Sequence, residues 1–514
     1  MNRARIFAAL LVLTLLLTAC SNAPTPAADD TVTITLQDTQ ILVDGKPASA
    51  DPSAAVYTAN DIVYYEEGKD FTYGEGTQAD AHSAAEAAAH TVVHITRAGT
   101  YRLSGTLPKG QIAVDLGEGA ESDPSAVVTL ILDGVNITCE VAPAVIFYRV
   151  YECGNTDTPS KDVDTSAAGA NVIIADGSRN TVNGSYVARI YKPGTVVLNA
   201  AGTAVDDAKK LHKYDGAFYS KMSMNMDGGE EGSGTLAIYA KNEGLDSELH
   251  LTVNGGNISI FSGNDGINTN EDGVSVTTIN GGTLNITVTG ETGEGDGIDS
   301  NGWLVINGGS VIASACATSA DAGIDSDMGI HINGGTVIAG GHMLDRIEDG
   351  GQSYAVFSFA QKQIGGETLL LKDKDGAVIQ EFTLPNACST IIYSGSALQS
   401  EPYTLWCGQL QLADSGNMAT GGSMRPDGAF RPAGKLPPDG GLMPPDGGLM
   451  PPDGNAPPDR PQPPSGGFGE DFAGGPICWQ SFGGMRPSSA KVASVLWLNA
   501  SNSTFRRWLL QTDN

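Results

Sequence analysis

The sequence predicts an all-β chain: a parallel β-helix, or solenoid, closed by a small antiparallel β cap and followed by a disordered Gly/Pro-rich tail. Three observations predict it. Asn-Gly-Gly recurs at Asn254, Asn280, Asn307 and Asn333, at intervals of 26, 27 and 26 residues. A fixed period of this size marks a repeat architecture in which each unit covers its neighbour. Around each Asn, apolar residues alternate in register, which gives strands with one buried face. Glycine is abundant at 66 residues, and helix-favouring runs are scarce.

Aligned on their Asn, the units place Val253, Ile279, Ile306 and Ile332 one residue before it. Leu251, Thr277, Leu304 and Ile330 stand three before. Ile258, Leu284, Val311 and Val337 follow four after, and Ile260, Ile286, Ala313 and Ala339 six after. Two strands therefore flank each Asn-Gly-Gly corner. The corner needs positive φ, which Asn tolerates and Gly takes freely. Stacked Asn side chains, about 4.8 Å apart, are placed to bond amide to amide.

Each unit opens on an acidic phrase. Asp246, Asp299 and Asp325 lie eight residues before their Asn, and Asn268 takes the matching place in the second unit, where Asp272 holds the minus-eight position. A second rank, Asp265, Asp296 and Asp321, adjoins the first. Carboxylates stacked this closely repel by about 3–4 kcal/mol at an effective dielectric near 20. Two columns of hard oxygen donors with Gly between them suit Ca²⁺, which takes six to eight oxygens. Turn chemistry alone, for which Asp and Asn are well fitted, is the alternative.

Residues 1–20 read as an export signal: Arg3 and Arg5 precede an apolar run that ends in Leu17-Thr-Ala-Cys20. That ending resembles a bacterial lipobox, which implies lipid on Cys20 and a chain exported and anchored at the cell membrane or cell surface. Residues 21–30 form a tether. Six further cysteines are scattered without a metal-binding pair. Export permits disulfides, for which Cys139–Cys153 and Cys388–Cys407 are candidates. The net charge of −30 argues against nucleic acid as a partner, and against anionic polymers unless a cation bridges them.

Residues 31–341 form the solenoid. Val32-Thr-Ile-Thr-Leu36 and Val127-Val-Thr-Leu-Ile-Leu132 are strands, and Ala84–His90 is a short helix suited to cover the open end. Asn171-Val-Ile-Ile174 and Thr195-Val-Val-Leu198 read as less regular rungs. Residues 342–412 form the cap, opening with two strands joined by the turn at Lys374-Asp-Gly376. Residues 413–488, where Leu442-Met-Pro-Pro-Asp-Gly repeats at Leu449, read as a disordered linker. Residues 489–514 are an apolar tail that contains Trp497 and Trp508.

Ala98-Gly-Thr-Tyr-Arg-Leu-Ser-Gly-Thr-Leu107, Leu132-Asp-Gly-Val-Asn-Ile137, Tyr214-Asp-Gly-Ala-Phe-Tyr-Ser-Lys221 and the Asp-Gly-Ile-Asp-Ser phrases together resemble one family. It is the bacterial carbohydrate-binding domain family, typified by a clostridial cellulose- and acid-sugar-binding protein. The resemblance implies a right-handed parallel β-helix like that of pectate lyases, with bound calcium and affinity for polysaccharide. Met222-Ser-Met-Asn-Met226 departs from the family pattern, so no ligand role is assigned there.

Three functions follow as expectations. In the first, calcium on Asp246, Asp265, Asn268, Asp296, Asp299, Asp321 and Asp325 bridges to acidic sugars such as polygalacturonate. Outward polar groups then bind cellulose-like glucans, and Trp303, of opposite parity to Leu304, offers a stacking face. The second is a polysaccharide lyase, with Lys241 as base and calcium neutralising a uronate. The third is a structural or adhesion protein whose aspartates serve turns only. A repeated carboxylate pair argues against glycoside hydrolysis, which needs one carboxyl made unlike the other.

Overall fold

The computed structural model describes residues 31–154 and 159–417. The described chain is all-β: its helical content is the α-helix Ala84–Ala88 and the single 3₁₀ turn Ala120–Ser122. The export signal, tether, Gly/Pro-rich linker (from residue 418) and apolar tail lie outside the described residues.

Parallel pairing builds three columns of strands. The first runs through Thr91–Ile95, Gly110–Asp115, Val145–Arg149, Gly216–Ser220, Glu243–Ser247, Ile267–Thr269 and Ile298–Ser300. The second includes Met224–Asp227, Leu251–Val253, Val276–Ile279, Trp303–Ile306 and Gly329–Ile332. The third includes Thr235–Ala240, Asn257–Ser262, Thr283–Val288, Ser310–Ser314 and Thr336–Gly341. The first three repeat units each give one strand to each column, and the fourth gives strands to the second and third only. Two were expected on either side of the corner; the acidic phrase is the third.

The registers match like with like. Ile258 pairs with Leu284, Leu284 with Val311 and Val311 with Val337, all essentially fully buried. Burying each such side chain contributes about 1.5–3 kcal/mol, so vertical registry is strongly fixed. The corner is held by the amide ladder: the Nδ2 of Asn280 donates to Asn254 at 3.0 Å, that of Asn307 to Asn280 at 2.9 Å, and that of Asn333 to Asn307 at 2.8 Å. Positive φ falls on the second glycine, at +92° for Gly256 and +82° for Gly282, and not on the Asn.

The N-terminal end is closed by strands rather than by the helix. Val56–Ala59 pairs antiparallel with Thr91–Ile95, and Val32–Leu36 covers Gly99–Leu107. An edge of unpaired N–H and C=O groups is satisfied by another strand, which a five-residue helix cannot supply. That helix instead carries a capping box between Ser83 and Glu86. Residues 195–198 are not a rung. Val197–Leu198 pairs antiparallel with Val205–Asp207 in an exposed hairpin. The insertion around it packs Tyr214 against Tyr148 and Tyr219 on the outside of the first column.

At the other end, Cys388–Ser394 pairs antiparallel with the last rung, Thr336–Gly341, and with Tyr354–Gln363. A four-stranded antiparallel sheet follows, and its last strand, Leu410–Asn417, runs past the expected linker start at residue 413. Cys139, Cys153, Cys316 and Cys388 are free and Cys407 is disulfide-bonded, so neither candidate cysteine pair forms.

Candidate functional site

The outward side of the first column carries the acidic residues. Asp246 pairs with Asn268, and Asn268 with Asp299. The Asp325 N–H then donates to the Ile298 carbonyl at 2.7 Å, so Asp325 continues the stack. Asn268, and not Asp272, fills the second unit's place; Asp272 accepts from the Nδ2 of Asn301 at 3.1 Å. Beneath each acidic residue an apolar neighbour points inward: Leu245, Ile267, Ile298 and Ile324 are all fully buried. The alternation of a strand thus turns one buried row into one carboxylate row.

Two groups of oxygens emerge. In the upper group, carboxylate oxygens of Asp296, Asp299 and Asp325 all lie within 4.8 Å of one another. Burial, then the charge of Asp265, raises Asp296 to about 9. Burial with the charge of Asp327 raises Asp299 to about 6, and burial with that of Asp345 raises Asp325 to about 7.

The lower group is deeper and contains Glu243, a residue the sequence analysis did not select. Asn268 Nδ2 donates to Glu243 Oε1 at 3.1 Å, and Asn270 Nδ2 donates to Asp246 Oδ1. That leaves Glu243 Oε2, Asp246 Oδ2 and Asn268 Oδ1 buried without any donor. Both carboxyls are held well above the usual range, first by burial and then by neighbouring charge: Asp246 acting on Glu243, and Asp215 acting on Asp246. Asp215 is itself paired with Arg189 at 3.0 Å. The signal for Glu243 was present in the chain. It stands three residues before Asp246, as Asp265 does before Asn268 and Asp296 before Asp299.

The second rank divides. One oxygen of Asp265 accepts from the Asp296 N–H at 2.7 Å, and one of Asp296 from the Ala322 N–H at 2.5 Å. Asp321 accepts from the Gly295 N–H and from Ser319 Oγ through the same oxygen. These bonds tie coil to coil, and only Asp296 of this rank joins the upper group.

Buried acceptors without donors are costly, at about 1–3 kcal/mol each and more when charged. The lower group offers oxygens only, from carboxylates and an amide carbonyl, which is the donor set of a hard cation such as Ca²⁺. The residues present therefore fit a calcium ion.

Trp303 is half-buried, four residues beyond Asp299, paired between Val276 and Gly329. Lys241 is not brought into either oxygen group. It lines a separate cleft of about 300 Å³ with Asp80, His82, Tyr186 and Glu291. Cys20 lies outside the described residues.

The family model for carbohydrate-binding domain-containing proteins matches residues 89–384. A carbohydrate-binding domain-containing protein of Acetivibrio thermocellus is 28% identical over 169 residues, which is 33% of this chain and 44% of that protein. The chain thus spans less than half of that relative's length. A solved polysaccharide lyase-like protein from C. thermocellum, a gadolinium derivative, aligns at 19% identity over 60% of this chain and 90% of that one. Its TM-score is 0.34, at which the likeness carries no argument. The family match takes in every rung from Thr91 to Gly341 and more than half of the 514 residues, and on it the chain belongs to the carbohydrate-binding domain-containing protein family.

Proposed function

We propose that the chain is a right-handed parallel β-helix whose acidic column holds calcium and, through it, binds acidic polysaccharide such as polygalacturonate. The observation that carries this reading is the trio of donorless buried oxygens on Glu243, Asp246 and Asn268. Family membership supports the carbohydrate partner. Bound calcium would supply the positive charge that a −30 chain lacks for holding a uronate carboxylate. The chain's own residues fix the oxygens in place: the amides of Asn268 and Asn270 orient the two deep carboxyls, and the rungs below set their spacing. Trp303 would offer a ring face beside the column, and a lipid on Cys20 would keep the domain at the surface of the exporting cell.

The cleft at Lys241 supports a second reading, a lyase, because a lysine there sits beside His82 and Tyr186. One experiment separates the two readings from a structural role. Purified protein is mixed with polygalacturonate, with and without EDTA, while bound polymer and the absorbance of unsaturated products are followed. Binding that needs calcium, without new absorbance, is expected. Absorbance growth abolished by Lys241→Ala would establish the lyase, and binding indifferent to EDTA would remove calcium from the account.

A further inference from the structure

Residues 68–73 and 190–196, both outside the three strand columns, face each other across a groove of about 710 Å³. Tyr73, Ile190, Tyr191, Pro193, Val196 and Leu211 make its walls largely apolar. Backbone bonds tie the two sides together. The Tyr191 N–H donates to the Tyr73 carbonyl at 2.9 Å, the Glu75 N–H to the Arg189 carbonyl at 2.8 Å, and the Leu211 N–H to the Ile190 carbonyl at 2.8 Å. The groove is therefore formed before any occupant arrives.

Its surroundings expose apolar side chains. Leu211 is 55% exposed, and Phe71, Val197 and Leu198, next to lining residues in the chain, are 48%, 53% and 41% exposed. They are four of the eleven large apolar side chains exposed among the described residues, so exposure of this kind is concentrated on one small module. Such a concentration marks a surface that meets an apolar partner.

The chain carries a partner of that chemistry. Residues 489–514, which lie outside the described residues, contain Val495-Leu-Trp-Leu498 and Trp508-Leu-Leu510. Lys491, Arg506 and Arg507 against Asp513 give this segment a net charge of +2, in a chain of −30. A field of that sign favours a cationic segment and opposes a second copy of the chain. The last described residue is Asn417, and the 71 residues 418–488 stand between it and the segment. A Gly-rich chain of that length spans roughly 45 Å root-mean-square. The seven strands of the first column, stacked about 4.8 Å apart, rise less than this. A segment so tethered is present at about millimolar effective concentration, which a free partner of equal affinity would have to match.

We propose that residues 489–514 dock in this groove through their tryptophan and leucine side chains, covering the exposed apolar module with the chain's own C-terminal segment. The docking depends on neither calcium nor glycan.

The test is acrylamide quenching of tryptophan fluorescence in the full chain without lipid, at two protein concentrations about a hundredfold apart. The difference from Trp497→Phe with Trp508→Phe isolates the segment's signal. In the wild-type chain these two tryptophans are expected to be shielded at both concentrations. Val196→Asp with Leu211→Asp sets two charges in the apolar walls and should weaken docking by about a hundredfold or more. Trp497 and Trp508 should then quench like free tryptophan, and the two aspartates should change nothing once both are phenylalanine. Thermal melts check folding, and Leu211→Asp alone, at the more exposed position, serves where the pair lowers the melting temperature. Free quenching in the wild-type chain, or shielding that survives the aspartates, overturns the proposal. Shielding lost on dilution would give the groove to a second copy. Shielding gained only with phosphatidylglycerol vesicles would give the segment to a membrane, and either result overturns the proposal as well.

Discussion

Asn268 donates its amide to Glu243 at 3.1 Å, yet its own carbonyl oxygen and the second oxygen of Glu243 are both buried without a donor. Buried acceptors without donors are unfavourable in a dry site, and a cation or a proton must reconcile them. A glutamine at position 243 would remove one buried acid and bring an N–H₂ donor among these donorless acceptors. Glu243→Gln should therefore raise the melting temperature of the calcium-free chain, by the equivalent of about 1–3 kcal/mol. It should also shrink the upward shift expected from calcium in the wild-type chain. Differential scanning calorimetry in EDTA and in calcium reads both effects, and a lower calcium-free melting temperature would count against the mismatch.

The upper group makes the fold pH-sensitive. Asp299 is raised to about 6 and Asp325 to about 7, whereas both start from 3.8. Between about pH 4 and 7 the folded chain thus holds protons that the unfolded chain has released. Its stability must fall as pH rises through that window. Calcium needs the ionised carboxyls, so its affinity rises over the same range. Melts in EDTA should drop from about pH 5 to pH 8 while the calcium-induced shift grows. A calcium-free melting temperature that climbs with pH would contradict the assignment.

Asp299→Asn with Asp325→Asn removes two of the three clustered carboxylates but keeps their shapes. Calcium affinity of the upper group should fall by about tenfold or more, since charge count sets calcium affinity in oxygen sites. The calcium-free chain should become no less stable, because mutual repulsion is relieved. Calcium titrations of the double variant check the first effect and thermal melts the second.

Gly282 has φ of +82°, and a Cβ there would stand 2.6 Å from the Gly256 carbonyl oxygen. Gly282→Ala should cost about 1–3 kcal/mol through backbone strain, with the close contact adding to it. The same change at the open corner Gly273, whose Cβ meets nothing within 4 Å, bears only the strain. Urea unfolding of the two variants should rank Gly282→Ala as the more damaging, and the reverse order would mean that the rungs do not depend on close backbone approach.

Much of this was legible in the chain because registry is written in periodic residues. Ile258, Leu284, Val311 and Val337 announce their stacking by position, and the Asn column announces its ladder. What escaped was whatever departs from the period. Glu243 escapes the pattern because the first acidic phrase, aligned with the others, begins at Gly244. The hairpin at Val197 reads as a rung in sequence because two apolar residues in an insertion look like a strand with a buried face, whereas both are exposed. The division of the second aspartate rank depends on which backbone N–H each side chain finds, as Asp321 finds that of Gly295. That depends on side-chain rotamers, which spacing does not encode.

Calcium in the acidic column stands or falls with the donorless oxygens on Glu243, Asp246 and Asn268. Isothermal titration of the EDTA-stripped chain with calcium, in two buffers of different ionisation enthalpy near neutral pH, decides whether an ion enters there. Saturable binding with heat that changes with the buffer is expected, because carboxyls held above their usual range must release protons as the ion enters. Heat no greater than dilution, or binding undiminished in Glu243→Gln combined with Asp246→Asn, would contradict it.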